Sequence, residues 1–211
     1  LATGPKPLTS QLSAENITLF RGDRCLFRDV SFALESGEAL VLEGANGSGK
    51  TSLMKAIVGM LDLESGVVSW NDVPVNKQRQ EFHGSLVWLA HRVGLKADLT
   101  LVENLRFEAA LRPLTTTDME PVLERLGISR LKPLPLRSLS AGQQRRVALA
   151  RMLLADVPLW LMDEPFTNLD REGRQLVMRL VKEHVTRGGL CVMAAHQDVE
   201  IDAPLKRVVL K

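Results

Sequence analysis

Two cysteines, no tyrosine and a net charge of only +2 set the first limits on this 211-residue chain. Cys25 and Cys191 are far apart and form no C-x-x-C pair, so they read as buried free thiols in a reducing compartment rather than as a disulfide or a zinc site. Long apolar runs are also missing. None approaches the ~18 residues of a membrane span, and the best candidate, "MLLADVPLWLM", is broken by Asp156 and Pro158. The chain is therefore not expected to cross a membrane by itself. The small, scattered charge argues against nucleic acid as a partner. The nearest thing to a basic cluster, the arginine pair Arg145-Arg146, reads as a solvated helix face or a local ion pair. No signal-peptide core stands in "LATGPKPLTSQLSAEN", so residues 1–16 are read as a short disordered lead-in. Trp70, Trp88 and Trp160 are expected to pack rather than to stack on a ligand.

What is present is the composition of an ordinary globular protein, 45% hydrophobic and 25% charged. The segments "ITLF", "DVSFALE" and "GVVSWN" alternate or mix apolar and polar residues, as half-buried antiparallel strands do. "ALVLE", "LWLM" and "LCVMAA" are continuous apolar runs, the pattern of parallel strands buried on both faces. "KTSLMKAIVGM" has helical spacing. "REGRQLVMRLVKEHVTRGG" sets Leu176, Leu180 and His184 on one helical face before a Gly pair. His184 therefore reads as structural, and His83 in "QEFHGS" as a solvated loop residue. The spacing predicts an α/β protein: a parallel-sheet core, antiparallel N-terminal strands, and a small helical subdomain at about 95–150 inside one domain spanning 17–211.

The chemistry begins at "GANGSGKT", where Gly44, Ala45, Asn46, Gly47, Ser48, Gly49, Lys50 and Thr51 match G-x-x-x-x-G-K-[ST] between a buried strand and a helix. Glycines let consecutive backbone N–H groups turn inward into an anion nest, and the following helix aims its positive end at the same point. Lys50 is the residue to reach the β and γ oxygens of a nucleotide, and Thr51 offers a hydroxyl to Mg²⁺. "LWLMDEP" ends a second buried strand on two carboxylates. Asp163 is placed to hold the metal and Glu164 to deprotonate an attacking water. ATP and Mg²⁺ are thus the expected nucleotide and metal.

"LSAGQQRRVALARMLL" adds Ser140, Ala141, Gly142 and Gln143 at the start of a long helix. With "GANGSGKT", "DEPFTNLD" and "AAHQ", in that order, the chain resembles the ATP-binding cassette (ABC) family from about Ile17 to Lys211. The resemblance makes Ser140–Gln143 the signature motif, with Ala141 where Gly is commoner. It makes Asp170 the D-loop aspartate and His196 the switch histidine that contacts the γ-phosphate. It also implies a head-to-tail dimer, in which the signature of one subunit covers the ATP bound by a second copy.

Two departures from the family pattern stand out. Counting back from Leu99 in "LTLVENL", His91 falls where most cassettes carry the Q-loop glutamine, and imidazole changes charge near neutrality where a carboxamide does not. The adenine-stacking position falls at Arg21, beside Phe20, and a guanidinium plane can also stack on a base. His91 with "GLK", and "SAGQQRR", resemble the ATP-binding subunits of the haem-handling exporters of bacterial cytochrome c maturation. That likeness implies integral membrane permease subunits of that system as partners and a peripheral place on the cytoplasmic face of the inner membrane. No C-x-x-C-H is present and no direct haem site is evident. The alternatives are the ATPase of another exporter, for lipid, drug or polysaccharide, or a soluble ABC-type ATPase of DNA maintenance or translation. Against the soluble reading, Lys50 and Ser140 are not separated by a heptad run, and the chain holds one cassette.

Overall fold

The computed structural model describes residues 10–91, 94–111, 118–195 and 199–210. Two sheets form its frame. β1 (Gln11–Arg21), β2 (Arg24–Glu35), β4 (Ser65–Trp70) and β5 (Val73–Pro74) make an antiparallel sheet in the order β2-β1-β4-β5. β3 (Ala39–Glu43), β6 (Leu86–Leu89), β7 (Leu159–Asp163), β8 (Leu190–Ala194) and β9 (Leu205–Val209) make a parallel sheet in the order β6-β7-β8-β3-β9. α1 (Lys50–Ile57) follows β3, and α2 (Arg79–Gly84) precedes β6. α3 (Leu101–Leu111), α4 (Glu120–Arg125) and α5 (Ala141–Ala155) occupy the stretch expected to be helical, with α5 running five residues past the anticipated end at 150. α6 (Arg171–Thr186) links β7 to β8.

The continuous apolar runs divide strictly by parity, because successive strand side chains point to opposite faces. Ala39 and Val41 of β3, Trp160 and Met162 of β7, and Cys191 and Met193 of β8 join α5 and α6 in one core. Leu40 and Leu42, Leu159 and Leu161, and Leu190 and Val192 join α1 and the antiparallel sheet in the other. Of the two cysteines expected to be buried only Cys191 is, and burial raises its thiol well above the ordinary pKa, so it behaves as an inert hydrophobe; Cys25 is exposed near the start of β2.

Two sequence expectations are corrected by the strands and helices themselves. The lead-in does not extend to 16: β1 starts at Gln11, with Leu12 and Ala14 buried. Asn16 adopts φ +47 and the register shifts between Ala14 and Ile17 against β2 and between Glu15 and Thr18 against β4, so the alternation breaks in mid-strand and restarts. His83 lies in α2 rather than in a loop, exposed but with Nε2 2.8 Å from Val58 O. His184 is structural as expected. It is buried, its ring stacks on Trp160 at 4.1 Å and 7°, and Nε2–H donates to Pro158 O and Leu190 O, each at 3.2 Å.

Candidate functional site

Every strand of the parallel sheet that carries a candidate residue delivers it at its carboxyl end, where open α/β sheets bind ligands. β3 runs into Gly44–Gly49, β7 ends on Asp163 with Glu164 following, and β6 leads through Ala90 to His91. These ends form a cleft of about 420 Å³ lined by Asn46, Gly47, Gly49, Lys50, Thr51, His91, Asp163 and Glu164, with Arg21, Arg24 and Leu26 as its outer wall.

The loop's glycines are there for conformation. Gly44, Gly47 and Gly49 adopt φ values of +144, +81 and +100, a region other residues enter only under strain. A Cβ on Gly44 would also lie 2.5 Å from Leu210 O and from Ser48 Oγ. The Lys50 ammonium arches back over this loop, donating to Gly44 O at 2.7 Å and Ala45 O at 3.0 Å. Ser48 Oγ is buried, with no hydrogen-bond partner among the described residues. A phosphate oxygen is the kind of acceptor such a loop is built to hold.

Thr51 Oγ1 donates to Asp163 Oδ2 at 2.9 Å, joining the start of α1 to the end of β7 across 112 residues of sequence. One hydroxyl and one carboxylate are a partial ligand set. That suits Mg²⁺, which takes one or two protein oxygens and completes its shell with phosphate and water. Among the described residues no group of three His, Cys, Asp or Glu side chains is gathered to hold a metal unaided. Glu164 stands next to Asp163 with φ +51, a left-handed conformation held by its N–H donating to Ala194 O at 3.0 Å.

The remaining candidates lie apart from this cleft. Ser140 caps α5 in a reciprocal box: its Oγ accepts from Gln143 N–H at 3.2 Å, and Gln143 Oε1 accepts from Ser140 N–H at 2.9 Å. Ser140, Ala141, Gly142 and Gln143 line a separate surface cleft with Asn168 and Asp170. Asp170 caps α6 through Gly173 N–H at 2.7 Å. The two clefts share no lining residue, so within one chain the signature does not meet the phosphate loop. His196 lies outside the described residues. Of the adenine candidates Arg21 lines the cleft, while Phe20 is 37% exposed beside it, with the Arg28 guanidinium 5.9 Å from its ring centroid.

Sequence reasoning missed five residues. Arg24 shares the outer wall with Arg21. Asn104 is buried and ties down the segment after His91, donating from Nδ2 to Lys96 O, Leu99 O and Thr100 O and accepting from Lys96 N–H. Thr100 and Glu103 cap the same helix, which accounts for the spacing of "LTLVEN". Arg145, read as solvated, is 3% exposed. Burial lowers its pKa to about 10 while Asp163 and Glu164 act in the opposite sense. Its helical spacing with Ala148, Leu149 and Met152, all buried, was the available signal.

Comparison with known proteins agrees with this geometry. Residues 27–167 match the family described as ABC transporter. The cytochrome c biogenesis ATP-binding export protein CcmA of Pasteurella multocida (strain Pm70) is 40% identical over 206 residues, covering 97% of this chain and 96% of the relative. The protein of the same name from Vibrio parahaemolyticus serotype O3:K6 (strain RIMD 2210633) is 40% identical over 200 residues, 94% and 98% of the two chains. A solved ATP-binding subunit of an ABC transporter superposes with a TM-score of 0.80 at 24% identity, over 88% of this chain and 79% of that one, a likeness of fold. With the family match and these near-full-length relatives, the chain belongs to the ABC transporter family, as an ATP-binding subunit.

Proposed function

We propose that this chain is the ATP-hydrolysing subunit of an exporter serving cytochrome c biogenesis, working as a nucleotide-sandwich dimer of two copies bound to integral membrane permease subunits. The observation that carries the ATPase reading is the convergence of Lys50, Thr51, Asp163 and Glu164 on one cleft at the sheet's carboxyl edge. The backbone N–H groups of Gly44–Thr51 and the Lys50 ammonium bind and orient the phosphates. Thr51 and Asp163 would hold Mg²⁺, which when bound neutralises charge on the transferring phosphoryl group. Glu164 accepts the proton of the attacking water, and His196 is assigned to the γ-phosphate. His91 takes the place of the usual Q-loop glutamine and lines the same cleft as Thr51 and Asp163, which would hold the metal. Ser140–Gln143 and Asp170 act on the nucleotide held by the opposite copy, which is why they face a different surface from the phosphate loop. Hydrolysis removes the group that both copies grip, and the dimer opens.

The cytochrome c assignment is supported by 40% identity to proteins named for that process across nearly the whole length of both chains. No helix among the described residues is long and apolar enough to cross a membrane, so attachment to the cytoplasmic face of the inner membrane would come through the permease subunits. The test is capture of this chain from detergent-solubilised membranes of its native host, followed by mass spectrometry. Membrane subunits of the cytochrome c maturation system are the expected companions. An unrelated permease in their place would leave the ATPase reading standing and remove the haem role.

A further inference from the structure

A buried guanidinium is costly unless its donors find acceptors, and Arg145 finds them in an unusual set. Nη2 donates to Asp163 O at 3.0 Å and to Glu164 O at 2.6 Å, Nε to Pro165 O at 3.3 Å, and Nη1 to Ala90 O at 3.0 Å. All four acceptors are main-chain carbonyls, and three belong to consecutive residues. The Asp163 and Glu164 carboxylates favour its charge from nearby, but its donors go to the backbone and grip its course.

The backbone it grips is strained. Glu164, at the centre of the three carbonyls, has φ +51, which a residue with a Cβ adopts only when its surroundings hold it there. The peptide groups on both sides of Glu164 are fixed by the same guanidinium, and Glu164 lines the cleft shared with Lys50, Thr51 and His91. The fourth carbonyl, Ala90 O, directly precedes His91. Arg145 itself lies five residues after Ser140, in the opening turns of the helix that Ser140 caps. One side chain therefore joins the start of α5, the turn after β7 and the exit from β6.

We propose that Arg145 is a positioning residue that holds Glu164 in its left-handed conformation, and so sets the aim of its carboxylate, while tying that turn to the signature helix and to the peptide before His91. The proposal rests on Glu164 being the base. Lysine is a poor substitute, since a single ammonium cannot reproduce the planar fork that reaches Asp163, Glu164, Pro165 and Ala90 together.

The test compares Arg145→Lys and Glu164→Gln with the parent, in the full chain, by steady-state ATP hydrolysis and by amide hydrogen exchange. Arg145→Lys is expected to lower kcat at least about tenfold with KM for ATP within about threefold, because binding is kept and only the aim of the base is lost. Exchange should accelerate at Glu164–Leu169 and at His91 while β3 and β8 stay protected. A general structural role would instead raise KM and speed exchange throughout the core, and that result would overturn the proposal. Parental kcat and parental exchange in Arg145→Lys, beside an inactive Glu164→Gln, would overturn it alone. Parental turnover in Glu164→Gln would remove the base assignment and the proposal together. If Arg145→Lys does not fold, Arg145→Gln, which keeps a two-donor amide at the position, is measured in the same way with the same criteria.

Discussion

Acid should find the interior of this protein at one histidine. His184 is 8% exposed, stacked on Trp160, with Nε2–H shared between Pro158 O and Leu190 O. Burial drives its pKa from 6.5 down to about 4, against the opposing effect of those two carbonyls. The unfolded chain therefore binds a proton at this residue between about pH 6.5 and 4 where the folded chain does not, and stability falls as pH falls through that window. At pH 5 the imbalance is a factor of roughly 30, or about 2 kcal/mol, and it is close to zero at pH 7.5. His184→Phe keeps a ring against Trp160 but cannot take up a proton. It should be less stable than the parent at pH 7.5 by ~0.5–1.5 kcal/mol, for the imidazole hydrogen bond it removes, while Pro158 O keeps its bond from Leu190 N–H at 2.8 Å. On acidification to pH 5 the parent should lose about 2 kcal/mol more than the variant. Urea unfolding at a series of pH values reads both quantities. Parallel pH dependences for parent and variant would refute the reasoning, because they would mean that His184 is protonated in the folded state or is not buried.

Other predictions concern the cleft and the packing behind it. Lys50→Ala should weaken ATP binding by at least about tenfold, since one buried cation otherwise meets the phosphates; a fluorescent-nucleotide titration measures it. Gly44→Ala should remove nucleotide binding, because its Cβ would lie 2.5 Å from Leu210 O at a φ of +144, and the same titration with a thermal melt separates loop collapse from unfolding. Gly189→Ala would place a methyl 2.3 Å from His184 Nε2. It should cost ~1–3 kcal/mol in urea unfolding, less if the ring can shift.

Much of this was legible in the sequence because local periodicity survives folding. The parity of "ALVLE", "LWLM" and "LCVMAA" was invisible in runs that are apolar throughout, but their burial on both faces, and hence a parallel sheet, was not. The phosphate loop was readable because glycine spacing encodes backbone conformation directly. What failed to show depends on the third dimension. The bulge at Asn16 resets the alternation of β1, so a pattern search begins at Ile17 and misses Leu12 and Ala14. Arg145 has the composition of a surface residue, and only folding brings carbonyls separated by as much as 75 positions, from Ala90 to Pro165, around one guanidinium. Phe20 and Arg21 are neighbours in sequence, and nothing local tells which of them lines the cleft. The separation of signature and phosphate loop, about ninety residues in sequence, has its meaning only in the two distinct clefts they occupy.

Hydrolysis of ATP in this cleft with Glu164 as the base is checked by measuring phosphate release and retained nucleotide in Glu164→Gln beside the parent. The variant should bind ATP as tightly as the parent but release phosphate at least about 100-fold more slowly, as loss of a general base requires. Phosphate release at the parental rate would contradict it.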